Sequence, residues 1–162
     1  MIRTLALVLA LTGAAACART EPPAAQAASS GAGAAAAKAW LAENAKKPGI
    51  TVLPSGLQYQ VIRSGAAAGP RPDKDDLVKV HYEGTLTDGT EFDSSFREGR
   101  PLVAKPENLV PGWTEVLQLM RPGDEWRVFL PPELGYGAEG TGPIPPDSVL
   151  VFRMELLDVL PR

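Results

Sequence analysis

Cysteine and histidine are nearly missing from this chain: its 162 residues include one of each. A lone cysteine excludes an internal disulfide, and a lone histidine leaves no zinc-ligand set, so no metal site is expected. An excess of basic charge is also lacking. With 16 basic and 19 acidic residues the formal net charge is −3, and no basic run is long enough to make a nucleic-acid surface. There is no Gly-x-Ser-x-Gly, no phosphate-cradling glycine loop and no His/Cys constellation, so the residues call for no cofactor and no covalent nucleophile. Aromatics are scarce at 6%, and the 44% hydrophobic share overstates the core, because alanine crowds the first third.

What is present falls into segments. Residues 1–17 start basic, run apolar from Leu5 to Leu11 and end on small residues before Cys17, the pattern of an export signal. The run is too short to span a bilayer stably. Ala14-Ala15-Ala16-Cys17 resembles the lipobox of bacterial lipoproteins, which implies lipidation of Cys17 and, with no aspartate following, an outer-membrane address. Ala14 departs from the leucine usual there, and plain Ala-x-Ala cleavage would instead leave a soluble periplasmic protein with a free thiol. Residues 18–37 are Ala, Pro, Ser and Gly with little else, which predicts a disordered tether. Residues 38–49 predict a short helical extension ended by Pro48-Gly49, either frayed or packed on the domain through Trp40 and Leu41.

From about residue 50 to 162 the pattern is that of one folded domain. Leu57, Tyr59 and Val61 alternate with glutamines, and Val78, Val80 and Tyr82 share one face of a strand over Leu77–Leu86. The opposite face carries Lys79, His81 and Glu83, which gives His81 a surface or supporting role rather than that of a catalytic base. Thr87-Asp88-Gly89-Thr90 is a hairpin turn, with a return strand through Phe92 and Asp93. Further strands are expected at Glu125–Leu130 and from Val149 to about Val159. Between them, Trp113, Val116, Leu117 and Met120 fall at i, i+3, i+4 and i+7 on a short helix begun by Pro111 and closed by Pro122-Gly123. The class is therefore α+β: a curved antiparallel half-barrel of five to six strands wrapped around one short helix.

Five aromatics sit on elements that converge: Tyr82, Phe92, Trp113, Tyr136 and Phe152. Such residues are usually plain core. Two details point further. A carboxylate at Asp93, beside Phe92, needs a partner, and the Tyr82 hydroxyl lies across the hairpin. A glycine- and proline-rich loop places Tyr136 and Ile144 near a cavity mouth.

Val80-His81-Tyr82-Glu83-Gly84, Phe92-Asp93-Ser94-Ser95, Val110-Pro111-Gly112-Trp113, Tyr136-Gly137, Ile144-Pro145-Pro146 and Leu150-Val151-Phe152 together resemble the FKBP-type peptidyl-prolyl cis-trans isomerases, over about Ser55 to Leu160. That resemblance implies a proline pocket with Trp113 as its floor and Tyr82, Phe92 and Phe152 as walls. It implies catalytic roles for Tyr82, Phe92, Asp93 and Tyr136, and substrate contacts from Leu109, Val110, Trp113, Ile144 and Phe152. Tyr136 and the Val110 N–H would bind substrate carbonyls. The implied substrates are proline-containing polypeptides, with macrolides as inhibitors. Departures are Leu102 and Ala104 where the family is bulkier, Glu98 where some members pair an arginine with the aspartate, and a slightly short loop before Ile144. A non-catalytic chaperone or peptide-binding module using the same groove is the alternative. The segment before the domain is too short to copy the helical dimerisation arm of some bacterial relatives, so a monomer is expected, held to the membrane only by its lipid.

Overall fold

The computed structural model describes residues 24–160; the export signal, Cys17 and the start of the expected tether lie outside them. The first element, α1 (Ala24–Asn44), corrects the sequence reading. Residues 24–37 are helical rather than a disordered tether, and the helix stops at Asn44, so 45–49 is a turn. Alanine is the best helix former, and a helix nucleated by packing at its C-terminal end extends at little cost through an alanine run. The packing is tertiary. Trp40 meets Phe129 with ring centroids 5.8 Å apart, and Ala37 and Asn44 are buried. Asn44 Nδ2 donates to Gln58 Oε1, and Gln58 Nε2 donates to the Leu41 carbonyl, both at 2.9 Å. Among the described residues no helix is long and apolar enough to cross a membrane.

Seven strands follow, two more than were named from periodicity. They are β1 (Ile50–Val52), β2 (Gln58–Arg63), β3 (Leu77–Thr85), β4 (Glu91–Ser94), β5 (Leu102–Ala104), β6 (Glu125–Leu130) and β7 (Leu150–Leu160). The extra pair, β1 and β5, has only three residues per strand, too few for alternation to register. The order is β1-β2-β6-β7-β3-β4, with β5 also on β3, and every pairing is antiparallel. Two short helices complete the domain, α2 (Ser95–Glu98) and α3 (Pro111–Leu117).

The expected stripe of α3 holds. Trp113 is 4% exposed, and Val116, Leu117 and Met120 are fully buried, Met120 in the turn just past the helix. Pro111 begins the helix, where its missing N–H costs nothing. The stripe packs with Val78, Val80, Val128, Leu130, Met154 and Leu156 into one cluster. Each such aliphatic side chain contributes ~1.5–3 kcal/mol on burial. The sheet thus has two covered faces, α3 on the concave side and the C-terminal half of α1 against Gln58 and Phe129 on the other. That second cover explains why Phe129, on the opposite face of β6 from Val128 and Leu130, is 6% exposed.

Candidate active site

Strand pairing puts Tyr82, Phe92 and Phe152 beside one another. Gly84 pairs with Asp93 on β4 and with Phe152 on β7, so β3 carries the site between its two neighbours. Position 84 must be glycine: a Cβ there would lie 2.6 Å from Phe92 Cε2 and 2.8 Å from Phe152 Cε1. The missing side chain is the space those rings occupy. Trp113 approaches from the start of α3. Its ring meets Tyr82 at 5.0 Å and Phe152 at 5.1 Å, and Phe92 meets Phe152 at 5.6 Å, all nearly perpendicular. Edge-to-face contacts of this kind are the favoured aromatic geometry.

These rings enclose a cavity of about 100 Å³, lined by Tyr82, Phe92, Asp93, Leu102, Leu109, Val110, Trp113, Tyr136 and Phe152. Eight of the nine site residues expected from sequence therefore converge. Ile144 does not. The loop pinches between Thr141 and Ile144, which exchange backbone hydrogen bonds of 3.0 and 2.8 Å, and this tucks Ile144 into the core at 6% exposure. Leu102 joins the lining, while Ala104 lines nothing there. Leu102 was noticed only as a departure in size. Its place depends on β5 pairing with Val80, which no local signal in three residues reveals. Larger grooves border α1, but alanine dominates their helix side and no aromatic cluster converges on them.

The polar groups are few and placed at the rim. The Tyr82 hydroxyl donates to Asp93 Oδ2 at 2.5 Å. Burial, then that carboxylate, pushes the Tyr82 phenol well above its usual range, so it stays a neutral donor. Among the described residues Asp93 has no ion pair; Glu98 turns instead to Arg100. Tyr82 is held from behind as well. Its N–H donates to Ser95 Oγ at 2.7 Å, and the same hydroxyl lies 2.9 Å from His81 Nδ1. His81 stacks on Phe96 on the outer face, in the supporting position its alternation indicated. Two donors remain open toward the cavity. Among the described residues neither the Val110 N–H nor the Tyr136 hydroxyl has a partner, and Tyr136 is 42% exposed at the mouth.

A model of the FKBP-type peptidyl-prolyl cis-trans isomerases matches residues 69–157, more than half of the chain. The chain belongs to this family. A second model, for the domain amino-terminal to FKBP-type isomerases, matches residues 11–61. Among curated relatives, the outer membrane protein MIP of Legionella longbeachae is 49% identical over 122 residues, 75% of this chain and 52% of that protein. The isomerase FkpA of Aeromonas hydrophila is 52% identical over 120 residues, 74% of this chain and 44% of that one. This FKBP-type chain thus spans about half the length of the curated relatives it matches. Its fold matches the crystal structure of FkpA from Escherichia coli with a TM-score of 0.79 and 41% identity, covering 85% of this chain and 64% of that one. It also matches a peptidyl-prolyl isomerase structure from Pseudomonas syringae at 0.75 and 36%, covering 81% of this chain and 96% of that one.

Proposed function

We propose that this chain catalyses cis–trans rotation about X–Pro bonds in extended or unfolded polypeptides. The observation that carries the reading is the cavity itself: five aromatic rings and two leucines, about the size of one prolyl ring, with two unpaired donors at its edge. Turning an X–Pro amide breaks its resonance, with a barrier of roughly 18–20 kcal/mol. The planar amide is charge-separated and well hydrated, and the twisted one less so. A pocket that strips water from the prolyl amide favours the twisted state relative to the planar one and needs no acid, base or nucleophile. Trp113 forms the floor, and Tyr82, Phe92 and Phe152 the walls. The Val110 N–H and the Tyr136 hydroxyl take the carbonyls flanking the proline and align the chain. Asp93, held by Tyr82, offers its remaining acceptor capacity to the peptide backbone or to the polar part of a macrolide.

A protease-coupled assay on an Ala-Leu-Pro-Phe peptide tests this reading. Unaided isomerisation takes on the order of tens to hundreds of seconds. The chain should shorten that clearly at micromolar concentration, and Tyr136→Phe should slow it. No rate above background leaves the alternative, a peptide-binding module.

The apolar run at Leu5–Leu11 and the cysteine that follows it support a place in the cell envelope, as does the name of the Legionella relative. Lipid on Cys17 is tested by mass spectrometry of the mature N-terminus, where a diacyl or triacyl mass supports the anchor. Sedimentation of the full chain tests its action as a monomer.

A further inference from the structure

Helix α1 approaches the Tyr136 loop closely at Gly33. A Cβ on Gly33 would lie 3.0 Å from both Cβ and Oδ2 of Asp147, tighter than ordinary contact, so any larger residue presses on the Asp147 side chain. Asp147 is an unusual seat. It is 9% exposed, and its Oδ2 is buried with no hydrogen-bond partner. Its φ of 54° is the one positive value outside glycine among the described residues. Its backbone N–H donates at 3.0 Å to the carbonyl of Gly137, the residue that follows Tyr136.

An unpaired buried carboxylate oxygen and a left-handed non-glycine residue are both unfavourable, and they persist only where the surroundings hold them. Here the surroundings include α1, anchored by Ala37, Trp40 and Asn44. Beside this contact lies a cavity of about 360 Å³, lined by Gly33, Trp40, Leu86, Asp88, Pro145 and Asp147 among others. Gly33 and Asp147 are thus a direct point at which the helix bears on the loop.

We propose that α1 is a positioning element for Tyr136. Seating Gly33 on Asp147 holds the Asp147–Gly137 hydrogen bond, and that bond fixes the backbone next to the Tyr136 ring. Only the kinetic consequence rests on the isomerase reading; the structural coupling does not. A residue acting at this distance through a hydrogen-bonded backbone modulates the site by roughly 5-fold, the low end of coupling between sites.

The test uses the full chain. Gly33→Val should speed amide exchange at Asp147 and Gly140, whose N–H groups tie the loop to Gly137 and Tyr136, and lower kcat/KM about 5-fold. The kinetic loss should vanish on a Tyr136→Phe background, where there is no hydroxyl left to position. Asp147→Asn keeps the shape, tolerates the backbone and removes the buried charge, so it should slow exchange at the same two amides. Unchanged exchange in Gly33→Val, or an equal kinetic loss with and without the Tyr136 hydroxyl, overturns the proposal. If Gly33→Val fails to fold, Gly33→Ala places its Cβ at the same 3.0 Å contact and is read by the same amides. If the unaltered chain lacks isomerase activity, that reading fails, and the exchange measurements still decide this one.

Discussion

Replacing Tyr82 by phenylalanine removes one oxygen and leaves the aromatic wall in place. The oxygen lost is the donor to Asp93 Oδ2, at 2.5 Å, and Asp93 has no cation to fall back on among the described residues. Hydrogen bonds to charged groups contribute about 1.5–3 kcal/mol. Asp93 is half-buried, so water reaches it in the variant and the lower part of that range applies. For a domain of this size, about 1.5 kcal/mol corresponds to a Tm lower by about 5 °C. The pH dependence gives a second signature. Because the folded-state phenol titrates above the usual tyrosine range, the folded protein keeps a proton that the unfolded chain gives up near pH ~10. The Tyr82 contribution is complete below that pH and is lost as pH rises further, toward the raised folded value. Thermal melts from neutral to alkaline pH should therefore show the gap between the two proteins narrowing above pH ~10. Equal stability at neutral pH, or a gap that stays constant into alkali, would refute the assignment of Tyr82 as the neutral partner of Asp93.

Three further outcomes follow from the same geometry. Phe92→Ala removes a half-buried wall and opens the cavity to water; kcat/KM in the peptide assay should fall more than about 10-fold, with about 2 kcal/mol of stability lost in urea melts. Gly84→Ala pushes a methyl into Phe92 and Phe152, and should cost about 1–3 kcal/mol and most of the activity together. Gln58→Ala strands Asn44 Nδ2 and leaves the Leu41 carbonyl with the Ala45 N–H alone; α1 should loosen, seen as faster exchange in its C-terminal turns and a loss of about 1–3 kcal/mol, while the cavity's aromatics stay packed.

Much of this protein was legible because its signals are local. Alternation placed Val78, Val80 and Tyr82 on one face of β3, and spacing set the stripe of α3, because each pattern repeats within a single element. The pairing of Asp93 with Tyr82 was legible because a hairpin turn sets the register: Asp93 opposes Gly84, and Tyr82 lies two residues along on the same face. The motifs at Tyr82, Phe92, Trp113 and Tyr136 did the rest, since the family resemblance they carry brings a site with it.

What stayed hidden depended on contacts between distant segments. An alanine run with Pro, Ser and Gly in it predicts a tether, and Phe129, Gln58 and Trp40 favour a helix only once the sheet has formed. Leu102 enters the cavity through a pairing three residues long, and Ile144 leaves it because the loop pinches at Thr141. The sequence alone determined the sheet's inner face, the short helix on it and the aromatic residues that meet there, because periodicity and adjacency are properties of the chain. Tertiary structure alone decided which loop residues line the cavity and how α1 rests on the domain, because those depend on distances between segments far apart in sequence.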